Sequence, residues 1–173
     1  MKICIWITKI FDLGGTKRVV SLLANELVKE HEVTIMTYED RFREDRTMYH
    51  LSEDINVDFI DNSQFVNKHH TPAFCARYLV KKLNDRSGMF NKKSLNPILA
   101  EAIFPQKTRE KWVEYFNSQD YDVILTTASL SLRLAMIAPR LKAATIGWQH
   151  NCYDGYLHVK PVVFWQQENL LQQ

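Results

Sequence analysis

Residues 2–37 spell out a strand, a glycine turn, a helix and a second strand, and that order restricts the fold more than any other feature. Lys2-Ile3-Cys4-Ile5-Trp6-Ile7 is almost wholly apolar, rich in β-branched residues and too short for a helix. It predicts a strand buried on both faces, as in a parallel sheet. A loop from Lys9 closes on Gly14-Gly15. From Thr16 to Lys29, the apolar residues Val19, Val20, Leu22, Leu23, Leu27 and Val28 recur at helical spacing. They predict a helix with that stripe turned inward and Thr16 as its N-cap. Glu32 to Thr37 then predicts a second strand, which completes a βαβ unit.

The pattern continues through the chain. Arg41 to Ser52 is polar and reads as a loop with a helical turn, and Ile55 to Ile60 as a third strand. Pro72 to Leu83 predicts a helix with Phe74, Cys75, Tyr78, Leu79 and Leu83 on one side. Ser94–Phe104 and Thr108–Gln119 predict two more. Tyr121–Thr126 reads as a strand, and Ser129–Ala138 as a helix with Leu130, Leu134 and Ile137 inward and Pro139 stopping it. Ala143–Trp148 reads as another buried strand. Alternating strands and helices imply an α/β fold: a Rossmann-like, open, mainly parallel sheet with helices on both faces. We expect one domain over residues 1–160, its 63–105 stretch helical and basic, and a tail or the start of an interdomain linker over 161–173.

Composition narrows the function classes. The 173 residues are 46% apolar and 24% charged, which argues against disorder, collagen and coiled coil. The net charge is only +2, yet Lys68 to Lys111 holds ten Lys/Arg against three acids, a local +7. Such a stretch is either a solvated helical face or a binding surface. Cys4, Cys75 and Cys152 have neither metal spacing nor a disulfide framework, and fit reduced thiols in a cytosolic protein. No run reaches the ~18 apolar residues of a membrane span, and no signal peptide leads the chain.

In open α/β sheets ligands sit at the carboxyl ends of the strands. Two loops are expected there. Gly14-Gly15 lets a ligand approach the backbone, and the helix that follows offers N–H groups and a positive dipole end to an anion. Lys17 and Arg18 in that first turn are tolerable if an anion binds. A tight turn that needs glycine for geometry alone remains the other reading. Trp148-Gln149-His150-Asn151 is the second cluster, where His150 is either a titratable group facing a ligand or a hydrogen-bonded structural histidine. His69-His70 reads as a loop pair. Asp120 and Asp122 flank a strand start at the opposite edge. The sequence holds no G-x-G-x-x-G, P-loop, G-x-S-x-G, H-E-x-x-H or C-x-x-C.

These residues resemble a known family. Met1-Lys2-Ile3, the loop Gly14-Gly15-Thr16-Lys17-Arg18-Val19-Val20, Leu22-Leu23-Ala24-Asn25-Glu26-Leu27 and Glu30-His31-Glu32-Val33-Thr34-Ile35-Met36-Thr37 look like the N-terminal domain of family 4 glycosyltransferases. The strands at 121–126 and 143–148, with the histidine after the second, are similar too. The resemblance implies the N-terminal half of a GT-B fold, in which this domain binds mainly the acceptor. Its glycine loop reaches toward the donor diphosphate. It implies that Gly14, Gly15, Thr16, Arg18, His150 and Asn151 face the diphosphate or the acceptor. It further implies hexosyl transfer from a nucleotide sugar, generally retaining, with neither metal nor other cofactor, often in cell-envelope or capsular polysaccharide synthesis. Many relatives act on lipid-linked acceptors. Lys81, Lys82, Lys92 and Lys93 therefore stand as a candidate membrane or acceptor surface, on a cytoplasmic protein or one peripheral to the cytoplasmic face of the membrane. Nucleic acid is not expected as a partner.

The departure is the missing second half. The family's paired glutamates, E-x7-E, are absent, since no two glutamates here stand eight residues apart. The chain stops at Gln173, about where an interdomain linker would begin. It is expected to be catalytically incomplete without a donor-binding domain or a separate donor-binding chain. Two alternatives stay open: a non-catalytic Rossmann-like module of a split glycosyltransferase, and half of a sugar-nucleotide epimerase.

Overall fold

The computed structural model describes residues 1–39, 41–65, 71–90, 93–127 and 129–148, with the side chains at 93, 96 and 129 left aside. Five strands, β1 (Lys2–Ile7), β2 (Glu32–Thr37), β3 (Asn56–Phe59), β4 (Val123–Thr127) and β5 (Ala144–Trp148), form one sheet in the order β3-β2-β1-β4-β5. Every pairing is parallel. The helices are α1 (Gly15–Leu27), α2 (Pro72–Ser87), α3 (Asn96–Ile103), α4 (Gln106–Ser118) and α5 (Ser129–Ile137). This is a Rossmann-like α/β sheet, as the alternation predicts.

The two-residue period of β1 accounts for the layering. Ile3, Ile5 and Ile7 join Val33, Ile35 and Leu125 beneath Val20 and Ala24 of α1. Cys4 and Trp6 point the other way, into Met36, Ile124 and the inner faces of α4 and α5. Both faces of β1 are therefore dry, which is why its sequence does not alternate polar with apolar. Trp6 is the centre of the second layer. Its ring lies 4.7 Å from Trp112 and 5.2 Å from Phe116. Its indole N–H donates to the Tyr38 hydroxyl at 2.9 Å. Phe65 stacks on the far side of Trp112 at 3.8 Å.

The helices depart from their apolar stripes in places. Thr16 is not the N-cap of α1: the helix starts one residue earlier, after Gly14, without a side-chain cap. The stripe read for α1 was too wide to be buried whole. The helix meets the sheet along Val20, Ser21 and Ala24, whose small members allow close approach, and Val19 and Leu22 face outward. In α2 the supposed inner side is exposed at Cys75, Tyr78, Leu79 and Leu83, because this helix packs along α3 rather than on the sheet. Strand β5 is not buried either. Among the described residues it has a neighbour on one side only, and Ile146 is 49% exposed. Gly147 packs closely against α5 there: a Cβ would stand 3.2 Å from that of Ser131, a tight contact. Leu130, Leu134 and Ile137 of α5 point inward as expected.

Burial of tyrosines has a measurable consequence. Burial pushes the Tyr38 hydroxyl up to about 12, with the Arg133 cation opposing. Tyr115, half-buried and donating to Asp58 at 2.7 Å, and Tyr121 are raised as well, desolvation leading in both. A folded-state value above the unfolded one means that the native state holds its protons longer. That stability is fully present below the ordinary tyrosine value near 10 and is lost as pH rises toward 12. Melting temperature is therefore expected to be level from pH 8 to 9.5 and to fall steeply above 10. A flat profile to pH 11.5 would contradict this burial.

Candidate functional site

The order β3-β2-β1-β4-β5 places a topological switch between β1 and β4. The chain leaves β1 toward α1 on one face and β4 toward α5 on the other. The carboxyl ends of strands flanking such a switch are the usual place for a ligand in open α/β sheets.

The loop after β1 is fixed at its root. Ile10 and Phe11 are buried. Their N–H groups both donate to one carboxylate oxygen of Glu39, at 2.6 and 2.9 Å. Glu39 is only 7% exposed, and the Thr37 hydroxyl also reaches that oxygen at 3.4 Å. The Thr8 carbonyl accepts from the N–H of Tyr38 at 3.2 Å. Farther out, the Tyr49 hydroxyl accepts from the N–H of Gly14 at 2.9 Å and lies 3.2 Å from the Asp12 carbonyl oxygen. Tyr49 is itself placed by its turn, Arg46–Tyr49. Asn25 of α1 clamps that turn: it donates to the His50 carbonyl and accepts from the N–H of Ser52, both at 2.9 Å. The glycine segment is thus held from two sides while its tip stays open; Leu13 is 78% exposed.

The glycines themselves are not demanded by this geometry. Gly14 has φ 161°, extended backbone open to any residue. A Cβ on it would meet only the flexible end of Lys17, at 3.1 Å. A Cβ on Gly15 would meet nothing within 4 Å. Of the two readings of Gly14-Gly15, the turn that needs glycine for its own shape loses its basis. Among the described residues, no side chain and no loop carbonyl accepts from the N–H groups of Gly15, Thr16 or Lys17, and no acid stands in the first turn. Thr16 is half-buried at the second helical position and Arg18 is exposed, its N–H bonded back to the Gly14 carbonyl at 3.2 Å. Among the described residues these N–H donors, at the positive end of a 13-residue helix and beside two positions without side chains, have no protein acceptor.

His150 and Asn151 lie outside the described residues, as do Lys92 and His69-His70. Lys93 belongs to a turn at Lys93–Leu95. Lys81 and Lys82 are exposed on α2, with the Lys82 ammonium 5.9 Å from the Tyr78 ring centre. Asp122 sits at the amino edge of the sheet, accepting from the Lys2 N–H at 2.7 Å, which leaves it a structural part. Burial pushes the Cys4 thiol far above its ordinary range, so it is no nucleophile. Among the described residues no three His, Cys, Asp or Glu gather as metal ligands, and no helix is long and apolar enough to cross a membrane. Sequence reasoning missed Glu39 and Tyr49. Their partners are 28 to 37 residues away in the chain, and nothing local distinguishes them. No protein-family model matches the sequence, and no curated protein matches it significantly.

Proposed function

We propose that this chain is the acceptor-side domain of a nucleotide-sugar-dependent glycosyltransferase, incomplete without a donor-binding partner domain or chain. One observation carries the reading. Two adjacent glycines stand where the fold demands neither, at the open N-terminus of α1, on the carboxyl edge beside the switch point. Side chains there would obstruct a ligand rather than the protein.

The chemistry follows from what such a site can stabilise. In glycosyl transfer an acceptor hydroxyl displaces a nucleoside diphosphate at the anomeric carbon. Negative charge accumulates on the leaving diphosphate, and fixed N–H donors lower the barrier to its departure. The N–H groups of Gly15, Thr16 and Lys17, without an acceptor among the described residues, and the Lys17 and Arg18 cations in the same turn supply such donors. Glu39 and Tyr49 keep the loop from closing over them. His150 and Asn151, following β5, are assigned to the sugar or the acceptor on the strength of the resemblance. The basic face of α2 is assigned to an acceptor at the membrane surface.

The test is Gly15→Val in the complete enzyme. A valine has room in the fold and obstructs the diphosphate, so transfer is expected to fall by roughly tenfold or more, the scale of one lost charge-stabilising contact. The melting temperature is expected to stay within about 2 °C. Retained activity would overturn the reading of the loop.

A further inference from the structure

A cavity of about 240 Å³ lies on the α4–α5 side of the sheet. Phe74 of α2, Ile103 and Phe104 at the end of α3, and Trp112 of α4 give it apolar walls. Three cations stand in the same lining: Arg77 and Lys81 of α2 and Arg133 of α5. No carboxylate lines it, and among the described residues none comes within salt-bridge distance of those cations. Arg133 instead lies over the Phe104 ring, 5.6 Å from its centre, and against the neutral Tyr38 hydroxyl. The Asn62 side-chain oxygen, also in the lining, is buried without a hydrogen-bond partner among the described residues.

The lining thus sets two half-buried guanidinium groups and the exposed Lys81 ammonium beside apolar walls, with no carboxylate among the lining residues. It suits a ligand that brings its own charge. A phosphate monoester carries close to two negative charges and three acceptor oxygens, which matches three cations better than one carboxylate does. The apolar share of the ligand also has a place. A shallower groove between α2 and α3, with Val80, Pro97 and Ile98 in its walls, adjoins the cavity and shares Arg77 and Ala102 with it. The single carboxylate in that groove, Glu101, is already engaged by Arg109 at 3.6 Å and by the N–H of Gln106 at 2.8 Å.

We propose that this cavity binds the phosphate monoester of an apolar-chain alcohol. The phosphoryl group sits among Arg77, Lys81 and Arg133, and the chain runs along the α2–α3 groove. The site rests on the reading above in one respect: its ligand is the acceptor side of the reaction.

The experiment is calorimetry on the 173-residue chain with dodecyl phosphate below its micelle concentration, with inorganic phosphate and dodecyl maltoside as separate arms. Saturable binding of dodecyl phosphate is expected, at least about a hundredfold tighter than either other probe, since each carries half of the recognised chemistry. Arg77→Ala with Lys81→Ala is expected to weaken it by about tenfold or more, while Arg77→Lys retains most of it. Ala102→Phe, which fills the junction of cavity and groove without touching a charge, is expected to weaken it as much. Equal binding of inorganic phosphate, or full affinity in both the charge and the steric variants, would overturn the site. So would failure of the folded chain to bind dodecyl phosphate, and the diphosphate loop would be untouched by that result. If the chain binds through these residues but dodecyl phosphate does not compete in sugar transfer by the complete enzyme, the cavity stands and its acceptor role falls.

Discussion

Trp6→Ala is expected to destabilise the chain by about 4–5 kcal/mol, the upper range for losing a buried large aromatic. That is a large part of the ~5–15 kcal/mol that holds a domain of this kind together. Trp6 is fully buried at the centre of the sheet, between Trp112 and Phe116 on one side and the β1 neighbours on the other. Alanine opens a void that a parallel sheet cannot collapse into, because β1 is hydrogen-bonded on both edges. It also removes the donor that meets the Tyr38 hydroxyl. Trp6→Phe keeps most of the ring contact and loses that bond, so its cost is expected near 1–2 kcal/mol. Urea denaturation of the two variants checks the order. A loss below about 2 kcal/mol in the alanine variant would mean that Trp6 is not the keystone of this layer.

Glu39→Ala is the second large effect. One buried carboxylate oxygen accepts two loop N–H groups, and alanine leaves both without a partner in a dry place. Hydrogen bonds to a charged acceptor are worth about 1.5–3 kcal/mol each, and part of that returns because a buried charge is no longer desolvated. A net loss of about 2–4 kcal/mol is expected. Its locality is the sharper mark. Hydrogen exchange at the Ile10 and Phe11 amides is expected to accelerate far more than exchange in α4 or β2. Glu39→Gln retains one acceptor oxygen and is expected to lose about half as much. Unchanged protection at Ile10 and Phe11 in the alanine variant would show that the loop holds itself.

The parts of this fold legible in the sequence are those whose cause is local. Strands β1 and β2 were read to the residue because an apolar run of six bounded by polar residues has few other uses. Helix α5 was read with its inner face because Leu130, Leu134 and Ile137 lie at helical spacing and Pro139 follows. The errors share another origin. Periodicity says that an apolar face exists but not that a neighbour covers it. Leu79 and Leu83 of α2 therefore read as core and are exposed, and β5, read as buried, is exposed at Ile146 and lies at the sheet edge among the described residues. The site divides in the same way. Gly14-Gly15 is visible in the sequence, whereas the facts that give it meaning are not. These are the space around Gly15, the Glu39 anchor and the Tyr49 contact, all of which depend on tertiary placement. The cationic cavity was legible only as an undivided excess of charge between residues 68 and 111. Arg133, contributed by α5, lies outside that stretch.

The central claim is that the open N-terminus of α1 receives the diphosphate of a nucleotide sugar. Titration of the isotopically labelled chain with UDP, followed through backbone amide resonances, tests it most directly. On the proposed reading, in which donor binding falls mainly to another domain, affinity is expected to be weak, with a Kd of about 1 mM or above, on the order of −4 kcal/mol. The shifts are expected at the amides of Gly15, Thr16 and Lys17, and pyrophosphate is expected to reproduce them. Saturable shifts confined to other parts of the chain while these three amides stay still, or micromolar binding by this domain alone, would contradict the account.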